Sequence, residues 1–157
     1  MTLEFDIAGY FLKHYRTGGW AVAKKVSPSI HGHISASLDI GYSKRYCDSY
    51  PVLICLKLAL NEFLITYTEN RLNLVINTTN KYVAGRILKE FKNRERLKNF
   101  VRPRPWDHIR DNMIGFNSVV SELRSDNGRF DFLYDTAKRQ AEFAAHNNVT
   151  PDMEEED

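Results

Sequence analysis

Apolar and polar residues alternate at the start of the chain. Leu3, Phe5 and Ile7 are apolar, while Glu4 and Asp6 are charged. A period of two predicts a strand over residues 2–12 with one buried face. The segment 17-TGGW-20 reads as a turn, followed by a second strand over 20–26. Pro28 and the turn 31-HGH-33 lead into a third strand, about 33–43. Three strands with short connections predict an antiparallel meander. At residue 50 the period changes. The stretch 50-YPVLICLKLALNEFLI-65 is apolar nearly all round, so it predicts a helix buried against a sheet. Asp48 or Ser49 is placed to cap it, with Pro51 in its first turn. A strand over 72–77 follows, then a helix over 79–91 with Val83, Ile87, Leu88 and Phe91 on one face. A helix over 106–116, a strand over 119–123 and a closing helix over 130–146 complete the chain. The order β-β-β-α-β-α-α-β-α predicts an α/β fold: a five-stranded mixed sheet, three antiparallel strands first, with helices on both faces.

Length and composition narrow the class. A chain of 157 residues suits one domain with a single core. Apolar residues at 43% and charged residues at 27% fit a soluble globular protein rather than a fibrous or disordered one. No apolar run approaches the ~20 residues of a spanning helix, so no membrane partner is expected. The start MTLEFDIAGY has no basic leader. Cys47 and Cys55 are the only cysteines and lack metal-type spacing. A reduced, intracellular or cytoplasmic setting follows. Residues 1–147 read as the domain and 148-NVTPDMEEED-157 as a flexible acidic tail. Phe5, Trp20, Phe63, Tyr82 and Phe91 occupy core-type positions.

Charge is unevenly spread. Lys81, Arg86, Lys89, Lys92, Arg94, Arg96, Lys98, Arg102, Arg104 and Arg110 face only Glu90, Glu95 and Asp107 between residues 81 and 110. Phe100 and Trp106 are interleaved. Clustered bases release counterions when they meet phosphates, which gives salt-sensitive affinity without sequence preference. The plainer reading is a solvated helix face with pairs such as Glu90–Arg94. His31 and His33 read as a surface turn rather than metal ligands. No phosphate-binding glycine loop or serine nucleophile motif is present.

The element order and four local segments resemble the ribonuclease H family, type 1, over residues 2–146. The segment TTNKYVAGRI, residues 78–87, is similar to the family's TDSQYVxxGI. The turn 18-GGW-20 resembles GGYGAIL, 41-GYSKRYCDS-49 resembles AGYTRTTNN, and 134-YDTAKRQA-141 resembles DELARxAA. Active members cut the RNA strand of RNA–DNA hybrids with two divalent ions held by four carboxylates. Hard cations prefer anionic oxygens, and two of them close together repel unless negative charge surrounds them. The resemblance puts those four positions on Ala8, Val52, Thr79 and Tyr134, none of which is acidic. Asp6, Asp48, Asp131 and Asp135 lie nearby in sequence. A shift of two strand residues moves a carboxylate by about 6–7 Å, far more than a 2.0–2.1 Å magnesium bond tolerates. A ring from Tyr134 and the branched Val52 are expected to fill the old centre, so stability should not depend on a cation.

The groove positions are mixed under the resemblance. His14 falls on an asparagine that grips the minor groove. Asp48 and Ser49 fall on an asparagine pair, and Lys81 on a glutamine. The resemblance therefore implies a catalytically inactive domain that binds, without cofactor or metal. Its expected ligand is a duplex or RNA–DNA hybrid held by the basic 86–110 region, with Lys81 and Trp106 contributing. Two alternatives remain. One is a protein-interaction module of viral or mobile-element type that engages a polymerase, a nuclease or a host factor. The other is a metal-dependent ribonuclease with relocated carboxylates.

Overall fold

The structure is a computed structural model that describes residues 2–27, 35–44, 49–66, 73–95, 104–124 and 128–147. Its elements are β1 (Thr2–Leu12), β2 (Thr17–Ser27), β3 (Ser35–Lys44), α1 (Tyr50–Thr66), β4 (Asn73–Thr78), α2 (Lys81–Lys92), α3 (Pro105–Asn112), β5 (Ser118–Leu123) and α4 (Arg129–His146). This is the expected order. One sheet runs β3-β2-β1-β4-β5. The β1–β2 and β2–β3 pairs are antiparallel, and the β1–β4 and β4–β5 pairs are parallel.

Strand alternation divides the core between the two faces. Leu3, Phe5 and Ile7 of β1 join Trp20, Val22, Leu74 and Ile76 in the larger cluster, with Val52, Ile54 and Leu60 of α1, Val83 and Ile87 of α2, and Trp106 and Ile109 of α3. The other face of β1 turns Ala8 toward Ala21, Phe130, Leu133 and Ala137. Thus α1, α2 and α3 cover one face and α4 the other, packing mainly on β1, β2 and β3. Small residues let α4 come close. A Cβ on Gly19 would collide with the Ala137 carbonyl and the Ala141 nitrogen.

That contact explains one departure from the sequence reading. The segment 17-TGGW-20 lies inside β2, and the turn is residues 13–16. Arg16 carries the positive φ of that turn, 51°. Gly18 and Gly19 serve close packing: a Cβ on Gly18 would strike the Pro51 ring. A local reading cannot tell this use of glycine from a turn.

On α2 the buried side chains are Val83, Ile87 and Glu90, whereas Tyr82 and Leu88 are exposed. The buried stripe is narrower than expected because α2 lies over β4 and β5 at the edge of the sheet. Helix α3 ends at Asn112, short of the expected Phe116, yet Met113 and Phe116 still reach the core from the turn that follows. Pro28, His31, His33, Asp48, Arg96, Lys98, Phe100, Arg102 and the 148–157 tail lie outside the described residues, as does the side chain of Phe63. Among the described residues no helix is long and apolar enough to cross a membrane.

Candidate functional site

Of the four positions that the resemblance singles out, Ala8 lies in the middle of β1 on the face that α4 covers, and Val52 lies on α1 against the opposite face. Ala8 is fully buried under Phe130 and Leu133 of α4. Gly9, next to it, turns the other way, where an added Cβ would stand 2.8 Å from Val52 Cγ2. Ile7 pairs in register with Thr78, so Thr79 follows at the level of Ala8. Thr79 is exposed just before Asn80, whose Oδ1 caps α2 by accepting from the Val83 amide at 3.0 Å. Tyr134 does not fill the space beside Ala8. Its ring meets Tyr10 edge-on at 5.3 Å and stays 43% exposed. The reason is helical phase. Phe130, Leu133 and Ala137 form the inward stripe of α4, and Tyr134 is turned about 100° away from Leu133.

On the same face as Ala8, polar residues of β1 and β4 meet. Asn77 faces Asp6 in register. Its Nδ2 donates to Asp6 Oδ1 at 2.8 Å and to Glu4 Oε2 at 2.7 Å. Its Oδ1 accepts from Arg124 Nε at 3.4 Å, and Arg124 also pairs with Glu122. Asp6 and Asn77 are buried. Burying carboxylates is costly unless donors face them, and here the Asn77 amide supplies one to each while Arg124 holds that amide by its oxygen. Sequence reading passed over Asn77 and Arg124. One signal was available: an asparagine closing an apolar strand, opposite a strand that carries two acids two residues apart.

These donors do not match a two-cation centre. Ala8 and Val52 offer no oxygen beyond the backbone. Asp6 and Glu4 both face the Asn77 Nδ2 donor, which takes the place between them that a cation would need. Asp131 caps its own helix by accepting from the Gly128 amide at 3.3 Å, and Asp135 is exposed on α4. Among the described residues no three His, Cys, Asp or Glu side chains stand together in a way that could hold an ion.

The basic region separates into two sets. Arg110 is buried and donates to Glu90 Oε2 at 2.8 Å and Asp107 Oδ1 at 2.6 Å. Burial works against its charge, but its hydrogen bonds to those two carboxylates outweigh burial and raise its pKa above the ordinary arginine value. Arg86 behaves alike. Burial opposes its charge, and bonds to Tyr82 and Glu90 overcome that. It donates to Tyr82 Oη at 2.6 Å and Glu90 Oε1 at 3.2 Å, and lies over the Trp106 ring at 5.1 Å. Trp106 itself is core, only 6% exposed. Glu90 therefore pairs with Arg86 and Arg110, not with Arg94, which donates to the Phe91 carbonyl at 3.0 Å. Lys81, Lys89, Lys92 and Arg104 form the second set, exposed on the surface of α2 and at the start of α3. Among the described residues no carboxylate pairs with those three lysines.

No protein-family profile and no curated protein sequence matches the chain. Solved structures do resemble it. The N-terminal ribonuclease H domain of Rv2228c from Mycobacterium tuberculosis superposes with a TM-score of 0.66 at 11% identity, over 94% of this chain and 99% of that one. LC11-RNase H1, solved in complex with an RNA/DNA hybrid, gives 0.61 at 12%, over 90% and 98%. The ribonuclease H domain of prototype foamy virus gives 0.53 at 11%, over 93% and 94%. The fold is therefore ribonuclease H-like: a five-stranded mixed sheet with four helices.

Proposed function

We propose that this chain is a catalytically inactive ribonuclease H-like domain that binds duplex nucleic acid, an RNA–DNA hybrid foremost, without cutting it. The observation that carries the reading is the split of charges described above. Arg86 and Arg110 are held by Glu90 and Asp107, while Lys81, Lys89 and Lys92 are left facing solvent. Exposed lysines with no acid partner among the described residues favour phosphates, and none of the four matched positions carries the carboxylate that metal-dependent hydrolysis would need. The hybrid-bound state of a structurally similar protein supports the choice of ligand.

Fluorescence anisotropy with a labelled hybrid tests the reading. Affinity should fall linearly with salt on logarithmic axes, with a slope near −0.9 per phosphate contacted. Changing Lys81, Lys89, Lys92 and Arg94 together to Gln should flatten that slope and cost at least tenfold in affinity. Equal binding by this variant rejects the proposal, and magnesium- or manganese-dependent cleavage of the hybrid rejects the inactive part of it.

A protein partner is the second reading, favoured by Val120 and Leu123, which are 45% and 53% exposed on the edge strand β5. Open strand edges invite pairing with another chain. A partner retained after nuclease treatment would favour this reading over the first.

A further inference from the structure

The tip of the β1–β2 hairpin and the C-terminal half of α4 bring aromatic rings to the surface. Tyr15, in the 13–16 turn, is 54% exposed, and Phe143 of α4 is 51% exposed. The Tyr15 ring lies 5.4 Å from His14 and 6.2 Å from His146. Phe143 stacks on Tyr42 of β3 at 6.1 Å, with the planes 20° apart. None of this serves the core, because α4 buries Phe130, Leu133, Ala137, Ala141 and Ala144 instead.

The rings are held in place. The turn is closed by bonds from the Tyr15 amide to the Leu12 carbonyl at 3.1 Å and from the Arg16 amide to the Lys13 carbonyl at 3.4 Å. Arg16 adopts a left-handed backbone, φ 51°, a conformation that L side chains disfavour. Cations accompany the rings. Lys13 and Arg16 are exposed on either side of His14 and Tyr15. Arg139 is exposed one turn before Phe143, and helical spacing sets Arg139, Phe143 and His146 on one flank. Among the described residues no carboxylate pairs with Lys13, Arg16 or Arg139.

We infer that this face is a second binding surface, one that takes unpaired nucleotides: Tyr15 and Phe143 stack on bases while Lys13, Arg16 and Arg139 meet the phosphates. Base faces are open to stacking only when unpaired, and a ring accepts any of them. The cations on its rim favour a polyanion over an apolar peptide. The surface uses no residue of α2, so it goes beyond the duplex binding proposed above and stands apart from it.

Anisotropy with the full chain tests this. The probes are a labelled oligothymidylate of about ten nucleotides and an abasic strand of the same length. Tyr15→Ala and Phe143→Ala should each weaken oligothymidylate binding roughly tenfold, the usual worth of one base–ring stack. Tyr15→Phe and Phe143→Tyr should retain it, and the abasic strand should bind the unaltered protein about as weakly as the double alanine variant binds the normal strand. Both side chains are half exposed, so circular dichroism should show an intact fold. Three results overturn the inference: no binding of the single strand, equal affinity for the abasic strand, or loss of binding only when Lys81, Lys89 and Lys92 are changed to Gln. Hybrid binding by the two alanine variants, measured alongside, separates this failure from that of the duplex reading.

Discussion

Asn77 donates a hydrogen bond from Nδ2 to Asp6 Oδ1 across 2.8 Å, joining two parallel neighbours, β4 and β1, that lie 71 residues apart in the chain. The same nitrogen holds Glu4. One amide thereby keeps two carboxylates of β1 hydrogen-bonded.

Removing that amide should unfold the protein more easily. Asn77→Ala leaves a buried carboxylate short of a donor, an omission worth about 1–3 kcal/mol. Urea denaturation should show a loss in that range. A loss below about 0.5 kcal/mol would mean that Asp6 does not depend on the amide.

Magnesium should leave stability unchanged. A cation bound to the native state raises stability by RT ln(1 + [L]/Kd), and the donors around Ala8 and Asp6 do not suit one. Thermal melts with and without 10 mM magnesium should agree within about 1 °C. A rise of several degrees, lost in an Asp6→Asn variant, would reveal a cation site after all.

The Glu90–Arg110 pair should behave as a buried unit. Arg110→Met should cost about 3–5 kcal/mol, because Glu90 stays buried with one of its partners gone. Adding Glu90→Leu should recover most of the loss, and a double-mutant cycle in urea measures that coupling. The pH sign is plain. Arg110 has a raised pKa, so its contribution is fully present below the ordinary arginine value and fades only as pH climbs through the still higher folded value. The coupling should therefore not weaken at mildly alkaline pH.

Two glycines should respond in opposite ways. Gly85 of α2 has nothing within 4 Å of an added Cβ, so Gly85→Ala should stabilise by about 0.5–1 kcal/mol through helix propensity. Gly19→Ala drives a methyl into the backbone of α4 and should destabilise by more than about 2 kcal/mol. Melting temperatures that move in the same direction would contradict the tight seat of α4 on β2.

Much of the fold was readable from local pattern. The period-two strand of β1, the all-round apolar α1 and the closing α4 announced themselves because hydrophobic periodicity is a property of neighbours in sequence. The element order and the mixed sheet followed from them. Ala8 and Val52 came out on opposite faces of β1, under α4 and α1 respectively, which residue identity alone does not show. The bases of 81–110 could be counted but not sorted. Arg86 and Arg110 look like Lys89 and Lys92 until Glu90 and Asp107 are known to stand beside them.

What the chain alone determined, then, is the succession of strands and helices, since it is written in residue identity and spacing. Tertiary structure decided which charges are neutralised and which remain outside. It also decided that Gly18 and Gly19 make room for packing rather than a turn, that Tyr134 leans on Tyr10 instead of covering Ala8, and that Asn77 serves Asp6. Each of these depends on contacts between residues far apart in sequence, brought together only when β1 pairs with β4 and α4 settles on the sheet.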